Sequence, residues 1–139
     1  VKGIFYGHFH KWDAIEHIQV CKDIGWKPLE EAPKGSWVDY ENCDMKFIDL
    51  RENIKFLKYG YGRATDQLNI AIRNRRISRE DALAIVRNID GDFSSENRRE
   101  FCDYINITED YFMRVVDGFV NTDLFKKIDG VWLPKFTRN

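Results

Sequence analysis

Long apolar runs are missing from this chain of 139 residues: no stretch reaches the roughly 20 apolar residues that a membrane-spanning helix requires. Residues 1–6 are too few for a signal peptide and lack its flanks. Cysteine is sparse. Cys21, Cys43 and Cys102 stand far apart with no C-x-x-C spacing, which argues against a disulfide framework or a zinc site and for reduced thiols in the cytoplasm. Net charge is nearly absent too, at −1 from 22 Lys+Arg against 23 Asp+Glu. The whole chain therefore has no field to concentrate nucleic acid or an anionic membrane, neither is expected as a partner, and any anion site must be local.

Complete chemical signatures are also lacking. There is no G-x-G-x-x-G and no G-x-x-x-x-G-K-[ST], so no full nucleotide fingerprint can be read. No Ser/His/Asp or Cys/His arrangement is recognisable, and no catalytic residue is assigned within this chain. Internal repeats and low-complexity segments are absent. No initiator Met precedes the first apolar run, and the expectation is a chain cut from a longer protein, its first strand starting at the cut.

What is present is globular: 43% hydrophobic, 14% aromatic and 32% charged residues suit one domain, which at this length buries about two-thirds of its unfolded surface. The pattern predicts a predominantly α-helical, α+β fold. Residues 1–6 have strand-forming character, and Asp13 can cap a helix from 14 to about 24, giving strand, loop, helix. Gly25 is a helix stop, and Pro28, Pro33, Gly35 and Ser36 make residues 28–43 a connection. A compact array of about five helices follows. The first runs from 44 to about 58, with Met45, Phe47, Ile48, Ile54, Phe56 and Leu57 at mixed spacing that implies burial on more than one side. The second runs from 64 to 74. The third starts at the capping box Ser78-Arg79-Glu80-Asp81 and continues to Gly91. Two more cover 95 to about 105 and 108 to about 119, the last opened by Thr108. Asp129-Gly130 between residues 124–128 and 131–133 signals a small C-terminal β-hairpin, with Pro134 limiting its second strand.

The most unusual text is Lys58-Tyr59-Gly60-Tyr61-Gly62-Arg63-Ala64-Thr65-Asp66. Gly60 and Gly62 let backbone approach a ligand, and the helix start that follows offers N–H groups and a positive dipole end beside Arg63. Lys58, Gly60, Gly62, Arg63 and Asp66 are thus candidate anion- or substrate-binding residues. On the plainer reading the glycines turn a corner between helices and Arg63 pairs with Asp66. His8 and His10, with Asp13, Glu16 and His17, match no standard metal motif, and no metal site is assigned. Arg73, Arg75, Arg76 and Arg79 could touch phosphate, but Glu80 and Asp81 beside them favour a salt-bridged helix junction. Trp12, Trp26, Trp37, Trp132 and Tyr40 could stack on a sugar, although such residues more often form core or domain contacts.

Taken together, Phe56-Leu57-Lys58-Tyr59-Gly60-Tyr61-Gly62-Arg63-Ala64-Thr65-Asp66, then Ile72-Arg73-Asn74-Arg75-Arg76-Ile77-Ser78-Arg79-Glu80-Asp81-Ala82, then Asp90-Gly91, resemble the C-terminal region of the N-acetyl sugar amidotransferases. Ile107-Thr108-Glu109-Asp110-Tyr111-Phe112 and Trp12-Asp13 fit as well, so the resemblance spans nearly the whole chain. It implies ATP-dependent PP-loop enzymes of surface-polysaccharide and flagellin-sugar biosynthesis that convert an acetamido group to an acetamidino group on a sugar nucleotide. The family's Ser-Gly-Gly-x-Asp-Ser loop and its cysteine-rich N-terminal segment are not in this sequence. His8-x-His10 is no part of the likeness. ATP with Mg2+ would accordingly serve the full-length enzyme and not this part, and ammonia would come from a glutaminase subunit. On this basis residues 1–27 are expected to end the α/β PP-loop core, 28–43 to connect, and 44–139 to form a helical lobe that closes over ATP or the sugar nucleotide. The isolated chain is expected to be inactive. Arg63 would clamp an anion, Asp66 orient it or the substrate, and Lys58 add charge. The rival is a helical docking module that binds a partner protein and never meets substrate.

Overall fold

A computed structural model describes residues 2–136. Six α-helices and one hairpin lie along them: α1 (Ala14–Asp23), α2 (Ile48–Tyr59), α3 (Arg63–Arg73), α4 (Arg79–Ile89), α5 (Ser95–Tyr104), α6 (Glu109–Asp117), β1 (Phe125–Ile128) and β2 (Val131–Pro134). The mainly helical fold with a C-terminal hairpin is the one expected. Two expected elements differ. In place of a strand over 1–6, residues 2–5 belong to no strand or helix and Tyr6–His8 form one 3-10 turn. A strand needs a neighbour for its N–H and C=O groups, and none lies beside this segment among the described residues. The helix expected from residue 44 begins four residues later, because residues 44–47 form turns and Phe47 offers no side-chain cap.

Where a local cap exists, helices start as the sequence implies. Asp13, Ser78, Ser94 and Thr108 accept the backbone N–H of Ile15, Asp81, Asn97 and Tyr111 at 3.1, 3.0, 3.2 and 3.1 Å. Each cap occupies a donor that the first helical turn would leave unpaired. In the hairpin, β1 and β2 pair antiparallel with Phe125 opposite Pro134 and Ile128 opposite Val131. Asp129 and Gly130 both take positive φ (48° and 82°), as a type I′ turn requires.

Two apolar clusters hold the lobe. Phe56 and Leu57 of α2 pack with Val116, Val120 and Phe125, flanked by Phe112 and Trp132, so the hairpin closes one side of α2. Ala64 and Leu68 of α3 pack with Ala82 and Val86 of α4, flanked by Trp37, Ile72 and Ile85. The α2–α3 corner joins the two clusters. Gly91 fixes their spacing: its φ is +88°, and a Cβ there would overlap the Phe56 ring. Asn53 also donates to the Gly91 carbonyl at 2.6 Å. Residues 28–43 form a strap across α3, where Ala64 N–H donates to the Gly35 carbonyl at 3.1 Å and Trp37 N–H to Gln67 Oε1 at 2.7 Å.

The N-terminal arm packs differently. Helix α1 has no buried residue, and Phe5, Tyr6, Phe9, Trp12, Val20 and Ile24 are all more than 60% exposed. Its anchor is Asp13, fully buried and paired with Arg76. Among the described residues no helix is long and apolar enough to cross a membrane.

Candidate functional site around the α2–α3 corner

The corner is short because Gly60 ends α2 in the left-handed conformation (φ +84°) and the next helix begins three residues on. Gly62 is required for a different reason. A Cβ there would lie 2.6 Å from Asp90 Oδ1, and its own N–H donates to Asp90 Oδ2 at 2.9 Å. Thr65 adds its hydroxyl to Asp90 Oδ2 at 2.8 Å and its N–H to Oδ1 at 3.3 Å. With Ala64 N–H taken by Gly35, most of the helix-start donors are satisfied internally, and the positive end of α3 is met by the Asp90 carboxylate. What the corner offers a ligand is side chains.

Those side chains form two charged groups. Arg63 pairs with Glu41 of the strap, and Glu41 Oε2 also accepts from Gln67 Nε2 at 2.9 Å. Arg63 Nε is buried without an acceptor among the described residues. Asp66 pairs with Lys55 of α2, and Lys55 Nζ also reaches Glu52 at 3.3 Å and lies 4.8 Å from the Tyr61 ring centroid. Burial pulls the Lys55 ammonium down, but the Asp66 hydrogen bond and the Glu52 charge outweigh it, and its pKa lies above the usual lysine value. Lys58 sits over the rings of Tyr59 and Phe119. Of the five residues singled out by sequence, Arg63 and Asp66 thus sit in separate ion pairs, Gly62 is buried on Asp90, Lys58 lies over two rings, and Gly60, close to Leu124 and Phe136, borders an open space.

That space is a cleft of about 310 Å³. Leu68, Ile72, Ala82, Leu83 and Val86 give it an apolar floor; Gly60, Tyr61, Thr65, Asn69, Arg79 and Phe136 complete it. A shallower groove of about 440 Å³ adjoins it, sharing Asn69 and Ile72 and adding Asp66, Ile70 and Arg73. Sequence reasoning passed over Tyr61, Asn69 and Asp90. The spacing of Thr65, Leu68, Asn69 and Ile72 along one face of α3 is the signal that could have found the cleft wall.

The other candidates are dispersed. The His10 ring stacks on Tyr6 at 4.5 Å between centroids, while His17 meets Trp12 edge-on at 4.5 Å. Among the described residues no group of three His, Cys, Asp or Glu is placed to hold a metal ion. Trp37 flanks the α3–α4 cluster, and Trp132 flanks the hairpin cluster with its indole N–H donated to Asp117 at 2.7 Å. Both are therefore structural. Cys21, Cys43 and Cys102 are free thiols, and burial pushes the Cys102 thiol above its ordinary pKa.

Residues 34–137 match the model of the family described as LPS biosynthesis protein WbpG-like, C-terminal domain. The match takes in most of the strap, the corner, both clusters and the whole hairpin. No curated protein matches the chain.

Proposed function

The chain belongs to the family of LPS biosynthesis proteins with a WbpG-like C-terminal domain, and from that membership we propose that it is the C-terminal portion of an ATP-dependent N-acetyl sugar amidotransferase. The observation that carries this reading is the open cleft walled by Gly60, Tyr61 and Thr65. A corner that only joined two helices would be packed over, whereas this one keeps polar groups converging on an apolar slot, the usual form of a small-molecule site.

In this reading the sugar's amide oxygen attacks the α-phosphorus of ATP and pyrophosphate leaves. Ammonia then adds to the activated carbon, and AMP departs with the former amide oxygen, leaving the acetamidino group. ATP with Mg2+ and the reacting atoms are the business of a PP-loop domain elsewhere in the protein, with ammonia delivered by a glutaminase subunit in the cytoplasm. The lobe of residues 44–139 closes over the substrate. Arg63 is the anion clamp: its side chain is 28% exposed and its guanidinium is held at one end by Glu41. Glu41 orients it, Lys58 and Lys55 add charge, and Asp66 tempers that charge. Residues 1–27 complete the edge of the α/β core, which accounts for an arm with eight large apolar side chains exposed and a segment without a strand partner among the described residues.

The same arm favours one other reading, a docking module that binds a partner protein without meeting substrate. Tracing a heavy-oxygen label separates them. With the full-length protein, ATP, ammonium and an acetamido sugar nucleotide labelled at the amide oxygen, the label should appear in AMP. Formation of acetamidino product with unlabelled AMP, or no product, would overturn the amidotransferase reading.

A further inference from the structure

The strap is far more acidic than the chain around it. Residues 28–43 carry four carboxylates and one lysine; Glu41 is taken by Arg63, and Lys34 reaches out to Asp92 at 3.7 Å. Glu30, Glu31 and Asp39 are left, and none of them makes an ion pair among the described residues. All three line one groove of about 460 Å³ between the strap and α1. Its apolar part comes from Ile15 of α1 with Ala32 and Val38, and the half-buried rings of Trp37 and Tyr40 complete it. The groove is held in shape: Leu29 N–H donates to the Asp39 carbonyl at 3.0 Å, and the Trp37 backbone is fixed to Gln67 on α3. Burial first, then the Glu41 charge, push the Tyr40 phenol above its ordinary pKa, with Asp13 and Asp39 adding and Arg76 opposing. Negative charge prevails there.

Unpaired carboxylates beside two aromatic rings and an apolar floor call for a cation that is planar and carried on an apolar stem. A guanidinium meets both demands, since it stacks on rings and forks onto carboxylates, while its methylenes cover the floor. We propose that the groove between α1 and the strap docks a basic segment of a partner protein, anchored by an arginine side chain laid between Trp37 and Tyr40 and the Glu30, Glu31 and Asp39 carboxylates. Charge complementarity selects the occupant. One small cation would neutralise only part of three carboxylates, whereas a segment with further basic side chains neutralises them together, and buried arginines are common anchors of protein interfaces. The proposal does not depend on the amidotransferase reading. It concerns a face built by the strap and α1, apart from the cleft at the α2–α3 corner.

NMR titration of the 139-residue chain with the blocked peptide Leu-Arg-Ala-Arg-Leu tests it. Amide shifts should saturate with a Kd in the millimolar range or tighter, fall mainly in α1 and residues 29–41, and weaken as sodium chloride is raised. The lysine counterpart should bind more weakly, because an ammonium neither forks nor stacks as well. Glu30→Gln, Glu31→Gln and Asp39→Asn combined should weaken the arginine peptide about tenfold or more. Its melting temperature should match the parent, since none of the three carboxylates holds an ion pair. Absence of saturable binding, shifts centred away from the groove, or equal affinity in the combined variant would overturn the proposal. So would equal binding of a Leu-Glu-Ala-Glu-Leu peptide or of the lysine peptide. N-acetylarginine amide binding as tightly as the peptide would make the groove a site for a small organic cation and overturn the docking of a segment.

Discussion

Arg63 is the residue on which the proposed chemistry and the observed structure meet most closely. Its guanidinium is held by Glu41, which Gln67 also bonds, so truncation loosens the strap as well as removing a charge. In the full-length protein, Arg63→Ala is expected to lower kcat/KM at least about a hundredfold, because a charge-assisted pair strengthened in the transition state costs rate more than folding. The stability loss should stay near 1–2 kcal/mol for a partly exposed pair. Arg63→Lys should recover little, since an ammonium cannot reproduce the planar fork. Steady-state rates beside melting curves check this, and parent-like rates in both variants would assign Arg63 to holding the strap alone.

Asp13 carries the clearest pH dependence. The Arg76 hydrogen bond holds its carboxyl below the usual aspartate value, against burial, which acts to raise it, with the bond from Ile15 N–H helping. A depressed folded-state pKa stabilises the fold above the unfolded value of about 4 and loses that stabilisation as pH falls through the folded value. Asp117 acts in the same direction, held down by Lys127 and the Trp132 indole. Asp13→Asn should therefore lower the melting temperature at neutral pH, and the gap to parent should narrow as pH falls below about 4. A gap constant down to the lowest measurable pH would contradict the pairing.

At the scale of elements, helix starts were readable from sequence where the cap lies within three residues of what it caps. Ser78, Ser94 and Thr108 are such cases. Ser78→Ala should cost about 1 kcal/mol in urea unfolding, and coincident curves would contradict the cap. The start of α2 was misread because periodicity continues into turns that have no cap to end it. Carboxylates that cap from afar were invisible to sequence reasoning. Asp90 seals α3 from 28 residues away, and Asp49 accepts Ser94 N–H at 2.7 Å across 45 residues to seal α5. Nothing local marks either as different from a surface aspartate. Asp90→Ala should cost about 2–3 kcal/mol by leaving the Gly62 and Thr65 donors unpaired, with Asp90→Asn recovering part of it. Equilibrium unfolding of the two variants measures the difference.

For the whole molecule, composition and periodicity were enough to give a mainly helical lobe with a terminal hairpin. The corner was also visible from its glycines, whereas its ion partners were not. Glu41, Lys55 and Arg76 reach Arg63, Asp66 and Asp13 across 22, 11 and 63 residues, and only the packed chain brings such pairs together. A lobe with a substrate-sized cleft but no reacting groups assigned to it makes sense as one part of a larger enzyme. The most direct test is pyrophosphate release from ATP in the presence of ammonium and an acetamido sugar nucleotide. Full-length protein should release pyrophosphate in step with acetamidino product, and the 139-residue chain should release none above a no-protein blank. Release by the isolated chain, or none by the full-length protein, would contradict the account.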